Sequence, residues 1–342
     1  MKKYLLLFLL CGSLSVQAQD IGTIGGNYTR ADIPERQLQQ AHLLFNEHQY
    51  DMAEKLLQEV MTSAPTAVQE REAASLLVLI AYHRNVATAS GAIEKYLRTY
   101  PDAPEYNRMK ALALLSHYAQ GHYGIVTRGM HDVDPDMLCD AERDNLILAY
   151  ALSMIQEGRH EEAAAQLGIL KVISRQYTDE IVFYTAYTDY ATRRYEEAYE
   201  GFKQAKTSPA YQRQACYYLA ATNLELKDYV AAETEAAAYI DARPKDELTL
   251  EMKRIQGEAL YGQQRYLQAA IVLEEYLAEF KGCVIVVSHD RYFINRFADK
   301  VCVLENDGVK EYLGNYDDYF EKINREQAPD SEYAGMTRTA ME

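Results

Sequence analysis

RRYEEAYEGF, residues 193–202, decides how the rest of this 342-residue chain reads. A basic residue leads into Tyr195, and an alanine follows at Ala198. The same three-residue step from ring to alanine returns in HQYDMA at Tyr50 and Ala53, and in GRHEEAAAQL at His160 and Ala163. It returns again in KDYVAAETEA at Tyr229 and Ala232, and in QRYLQAAIVL at Tyr266 and Ala269. GHYGIV at Tyr123 keeps the aromatic, and Ala89 in ASGAIEKYLRTYP keeps the alanine. From Tyr123 onward the intervals are 37, 35, 34 and 37 residues. Apolar positions three and four apart, such as Leu56, Leu57 and Val60 or Leu146, Ala149 and Tyr150, predict helices throughout.

Two amphipathic helices fit in each period. A small residue after the turn lets the second helix approach the first, and the aromatic plugs the gap beside it. Pro65, Pro101 and Pro244 stand where the second helix must stop. This arrangement resembles the tetratricopeptide (TPR) repeat, whose period is about 34 residues. The resemblance implies an all-α, helix-hairpin solenoid over residues 34–280, with about seven hairpins of which the second and third are degenerate. The 29 tyrosines, against no tryptophan, are then mostly hairpin plugs. In such a fold the first helices line a concave face. Here that face would hold Phe183, Tyr187, Tyr190, Tyr217, Arg254 and Tyr261, residue types favoured where proteins grip one another.

The N-terminus predicts export. Lys2 and Lys3 precede an apolar run from Tyr4 to Leu10, and small residues lead to Val16-Gln17-Ala18. That order is a secretory signal peptide cut after Ala18, and its core is too short to span a bilayer, which takes roughly 20 apolar residues. Cys11 invites lipidation, but Leu10 stands where a small residue is needed. Residues 19–33 are expected to be a linker and the location periplasmic, in a Gram-negative envelope. Loss of residues 1–18 moves the formal net charge from −16 to −18, which repels phosphate backbones and excludes nucleic acid as a partner. Cys139, Cys216, Cys283 and Cys302 are too few and too scattered for a disulfide framework or a zinc site, so free, buried thiols are expected.

Beyond residue 281 the pattern changes. Val284–Val287 is a β-branched run, Asp290 to Lys300 has helical spacing, and Val301 to Leu304 reads as a second strand before Asp307-Gly308, together a βαβ-like fragment over residues 281–326. SHDRYF at residues 288–293 and GNYDDYF at 314–320 resemble the closing segment of an ABC-F ATP-binding cassette. The resemblance implies that His289 is the switch histidine that meets a γ-phosphate. The rest of that machinery is missing: none of the 17 glycines precedes a lysine, so there is no Walker A loop, and Gly25-Gly26 is no signature motif. Ile271–Glu275 has glutamate where a Walker B strand needs aspartate. LEEYL, residues 273–277, suits both a repeat helix and the helix before such a strand, which predicts a chimeric join there. HDVDPD at 131–136 starts like a calcium loop but has Met137 and Arg143 where glycine and glutamate are required. Residues 327–342 are polar, aperiodic and expected to be disordered.

The expected function is therefore that of a non-catalytic, exported scaffold, without metal or cofactor, that holds a protein or peptide of the cell envelope. The alternative is an ABC-F type ATP-binding protein with ATPase activity, which the missing motifs oppose.

Overall fold

The computed structural model describes residues 32–287, 291–305 and 308–327. The expected leader at residues 1–18 with Cys11, the linker up to residue 31, His289 and the tail from residue 328 lie outside these. Among the described residues fourteen α-helices come first, as seven successive pairs. They are α1 (Asp32–Asn46) with α2 (Tyr50–Thr62), α3 (Ala67–Arg84) with α4 (Ser90–Thr99), and α5 (Tyr106–Ala119) with α6 (Tyr123–Gly129). Then follow α7 (Asp140–Gln156) with α8 (His160–Ile173), α9 (Thr178–Ala191) with α10 (Tyr195–Ala205), α11 (Gln212–Glu225) with α12 (Tyr229–Ala242), and α13 (Thr249–Gly262) with α14 (Tyr266–Glu279). The chain forms two compact units, Met1–Tyr218 and Leu219–Glu342, and the division falls within α11.

The repeated tyrosine or histidine is the first residue of the second helix in six of these pairs: Tyr50, Tyr123, His160, Tyr195, Tyr229 and Tyr266. Two residues before each stands a left-handed residue, namely His48, Gly121, Gly158, Arg193, Lys227 or Gln264. Its N–H donates back three residues and the next N–H donates back five, as in Arg193 to Tyr190 O (3.1 Å) and Arg194 to Asp189 O (2.8 Å). This Schellman closure satisfies carbonyls at the end of the first helix and reverses the chain within a few residues. The second pair departs from it. Its turn is a 3-10 segment, Val86–Thr88, and α4 is ten residues long.

The repeated alanines sit where the paired helices meet: Ala53, Ala163, Ala198 and Ala232 are fully buried, and Ala269 nearly so. Their neighbours confirm how tight the contact is. A Cβ added at Gly201 would stand 2.6 Å from the Ala186 Cβ, and one at Gly257 2.5 Å from the Leu273 side chain. The third pair is short because α6 ends at Gly129 and gives way to two 3-10 turns, Met130–Asp132 and Pro135–Met137. There the calcium-like HDVDPD stretch is pinned to α5: Asn107 Nδ2 donates to Asp134 O and the Asp134 N–H donates to Asn107 Oδ1, both at 2.8 Å.

After α14 come α15 (Arg291–Phe297), β1 (Lys300–Glu305), β2 (Gly308–Leu313) and α16 (Tyr316–Gln327). The expected βαβ order is not found among the described residues. Val284–Val287 forms no strand, and the sheet is an antiparallel hairpin, Lys300 opposite Leu313 through Glu305 opposite Gly308. A parallel strand needs a neighbour to receive its backbone hydrogen bonds, and Val284–Val287 pairs with neither strand of the hairpin. Ile285 and Val287 are consequently 90% and 96% exposed. The GNYDDYF string makes a capped helix start: the Asn315 side chain accepts from the Asp317 and Asp318 N–H groups, and Asp318 Oδ2 accepts from the Asn315 N–H at 3.0 Å. Among the described residues no cysteine is in a disulfide, and of the four there Cys216 alone is buried. Cys139 precedes α7 at the surface, and Cys283 and Cys302 belong to the sparsely packed C-terminal segment.

Candidate functional site

Four of the six residues expected on a binding face converge, and they do so on a residue the repeat pattern had not singled out, Tyr218. Helical spacing puts Phe183, Tyr187 and Tyr190 on one side of α9. Their ring centroids stand 6.1, 5.4 and 5.6 Å from that of Tyr218 on α11, and Tyr217 stands 5.0 Å from it. Phe202 of α10 closes the cluster from below, stacked on Tyr218 at 5.1 Å with the planes 12° apart. Edge-to-face and offset contacts of this kind contribute about 0.5–1.5 kcal/mol each beyond the area they bury.

Exposure sorts these residues. Phe183 is 5% exposed and stacks on Tyr211 at 4.7 Å, so it is packing rather than contact surface, contrary to the expectation from spacing. The helix turns its ring into the α9–α10 interface, where an apolar ring gains most by leaving water. Tyr187, Tyr190, Tyr217 and Tyr218 are half-buried, so part of each stays in contact with solvent. Burial, with the neighbouring phenols of Tyr187, Tyr217 and Tyr190, pushes the Tyr218 phenol far above its ordinary range. Burial does the same to Tyr118 and Tyr211. These hydroxyls therefore stay protonated and act as neutral hydrogen-bonding groups.

Arg254 and Tyr261 both lie on α13 in the second unit. Burial works against the Arg254 charge, but hydrogen bonds to Glu251 (3.0 Å) and Glu258 (2.6 Å) raise its pKa. The guanidinium is thus occupied by its own helix. Tyr261 is 63% exposed and meets Tyr266 edge-on at 5.3 Å, the plug position between the paired helices. Tyr118 with Tyr123 and Tyr190 with Tyr195 repeat that contact at 5.9 and 5.7 Å. Only the doubled tyrosine at 217–218 signals the centre of the cluster in sequence.

No grouping of three or more metal-ligating side chains occurs among the described residues, and no helix there is long and apolar enough to cross a membrane. The Walker-B-like stretch, Ile271–Glu275, is helical and lies inside α14. Its Glu274 pairs with Arg296 of α15.

No protein-family model matches the chain. Short matches to curated proteins exist. The uncharacterized ABC transporter ATP-binding protein YfmR of Bacillus subtilis is 47% identical over 58 residues, 17% of this chain and 9% of that protein. ABC transporter F family member 2 of Arabidopsis thaliana is 45% identical over 51 residues, 15% of this chain and 8% of that protein. The chain thus spans less than a tenth of the length of these relatives. Among solved structures, pilF of Pseudomonas aeruginosa aligns with 14% identity and a TM-score of 0.47, covering 66% of this chain and 98% of that one. A tetratricopeptide repeat protein of Parabacteroides merdae aligns with 12% identity and a TM-score of 0.43, covering 73% and 94%. The fold rests on the chain's own geometry: helix hairpins that resemble the tetratricopeptide repeat in their opening aromatic and buried alanine, followed by a C-terminal segment similar to a short part of ABC-F ATP-binding proteins.

Proposed function

We propose that this protein is a non-catalytic scaffold that binds a polypeptide partner, with the half-buried tyrosines of α9 and α11 at the contact, and that it works outside the cytoplasm. One observation carries the reading: Tyr187, Tyr190, Tyr217 and Tyr218 form a continuous, half-buried aromatic cluster on first helices of successive hairpins. Rigid amphipathic rings of this kind supply contact area at small cost in side-chain entropy. Export rests on the charged, apolar and small-residue order of residues 1–18. The ABC-F-like segment is read as a remnant joined at LEEYL, because phosphoryl transfer needs a phosphate-cradling loop and magnesium ligands that this sequence lacks.

A photo-reactive phenylalanine analogue placed at Tyr217 or Tyr187 in the full chain, in its native cells, tests the proposal. Light should join it to one discrete partner polypeptide, whereas the same group at Val172, 85% exposed on α8, should give none. Equal products from all three positions, or products from Val172 alone, would refute a contact built on these tyrosines.

A further inference from the structure

Beside the aromatic surface lies a carboxylate that forms no ion pair among the described residues. Glu180 and Tyr184 are four residues apart on one side of α9, and Tyr177, three residues before Glu180, caps the start of that helix. Tyr211 meets Tyr184 edge-on, with centroids 6.0 Å apart. The surrounding acids are all satisfied. Asp179 accepts from the Ser208 hydroxyl at 2.6 Å, Glu142 takes Arg108 at 2.7 Å, and Asp144 takes Arg143 at 3.2 Å. Arg143 is held further by Asp140 at 3.0 Å. Glu180, half-buried, has no cation within ion-pair distance among the described residues. Its charge reaches the rings around it, helping to raise the phenols of Tyr177, Tyr184 and Tyr211 after burial itself.

A half-buried carboxylate bordered by tyrosine faces is the environment that a guanidinium or ammonium group prefers, since the acid supplies a charge-assisted hydrogen bond and the rings supply their negative faces. A chain of net charge −16 also draws cationic segments toward it before contact. We infer that Glu180, with the rings of Tyr177, Tyr184 and Tyr211, receives an arginine or lysine side chain of a basic polypeptide segment. This inference rests on the scaffold reading and adds the chemistry of the partner.

The test is fluorescence anisotropy of dye-labelled short peptides on the full chain, one alternating arginine with serine and one alternating glutamate with serine. The arginine peptide should bind and the glutamate peptide should not. Glu180→Gln should weaken binding about five-fold or more, the order expected for loss of one partly buried charge-assisted contact. Glu161→Gln removes the same charge from an exposed site on α8 and should weaken it less than about two-fold, as a change in the diffuse field alone would. Tyr184→Phe, which keeps the ring, should bind like the parent. Equal losses in Glu180→Gln and Glu161→Gln, or no binding of the arginine peptide, would overturn the cation site. In that event, crosslinks from Tyr217 would still stand for the scaffold reading, so the two fail separately.

Discussion

At the scale of the residue, the fold depends on two kinds of position that carry no chemistry. Ala198 is fully buried where α10 crosses α9, and enlarging it forces the helices apart. Ala198→Leu should lower unfolding stability by about 1–3 kcal/mol in a urea titration, the usual range for overpacking. The left-handed turn residues are the other kind. Gly158, at φ 76°, adopts its conformation without cost, whereas Lys227, at φ 62°, carries a Cβ there. Gly158→Ala should destabilise by about 1 kcal/mol and Lys227→Gly should stabilise by up to about 1 kcal/mol, opposite signs at equivalent turns. The buried phenols set a pH limit. Tyr118, Tyr211 and Tyr218 have their folded-state pKa values raised, chiefly by burial. Their stabilising effect is therefore complete below the unfolded tyrosine value of about 10 and is lost as pH rises above it. Phenolate absorbance from these residues should appear together with loss of helical circular dichroism, and ionisation in a still-folded chain would contradict the packing described here.

At the scale of the element, the readability of the sequence followed the range of the forces involved. The helix hairpins were readable because a Tyr-to-Ala spacing reports a local contact: the aromatic opens the second helix and the alanine faces the first. The Schellman turns escaped notice because four of the six left-handed residues, His48, Arg193, Lys227 and Gln264, are not glycine and leave no compositional trace. Phe183 was misplaced for a related reason. Helical spacing fixes its side of α9, but only the crossing of α10 and the position of Tyr211 decide that this side is closed. The βαβ expectation failed on a non-local requirement, since Val284–Val287 has strand-forming residues but pairs with no strand among the described residues. Glu180 was invisible in sequence because a missing counter-ion is a property of neighbours. The C-terminal segment leaves Ile285, Val287, Leu304 and Leu313 between 82% and 96% exposed. Apolar side chains exposed on an unpaired stretch and on a two-stranded hairpin with open edges invite association. Deleting residues 281–342 should leave the melting temperature of the helices unchanged and reduce concentration-dependent light scattering, and an unchanged scattering curve would count against this account of the segment.

At the scale of the whole molecule, two parts of one chain point to different functions. The repeat helices offer a surface of half-buried aromatic rings, and the C-terminal segment offers similarity to a nucleotide-binding family over less than a tenth of its members' length. The central claim is that the helices alone determine what the protein does. The most direct measurement is the melting temperature of the purified full chain with and without magnesium and ATP, alongside release of phosphate. A ligand that binds only the folded state at a hundred times its Kd adds about 2.7 kcal/mol of stability, a shift of several degrees that is easily detected. The account predicts no shift and no phosphate release, and identical behaviour in His289→Ala. A clear rise with ATP, together with hydrolysis that His289→Ala abolishes, would contradict it.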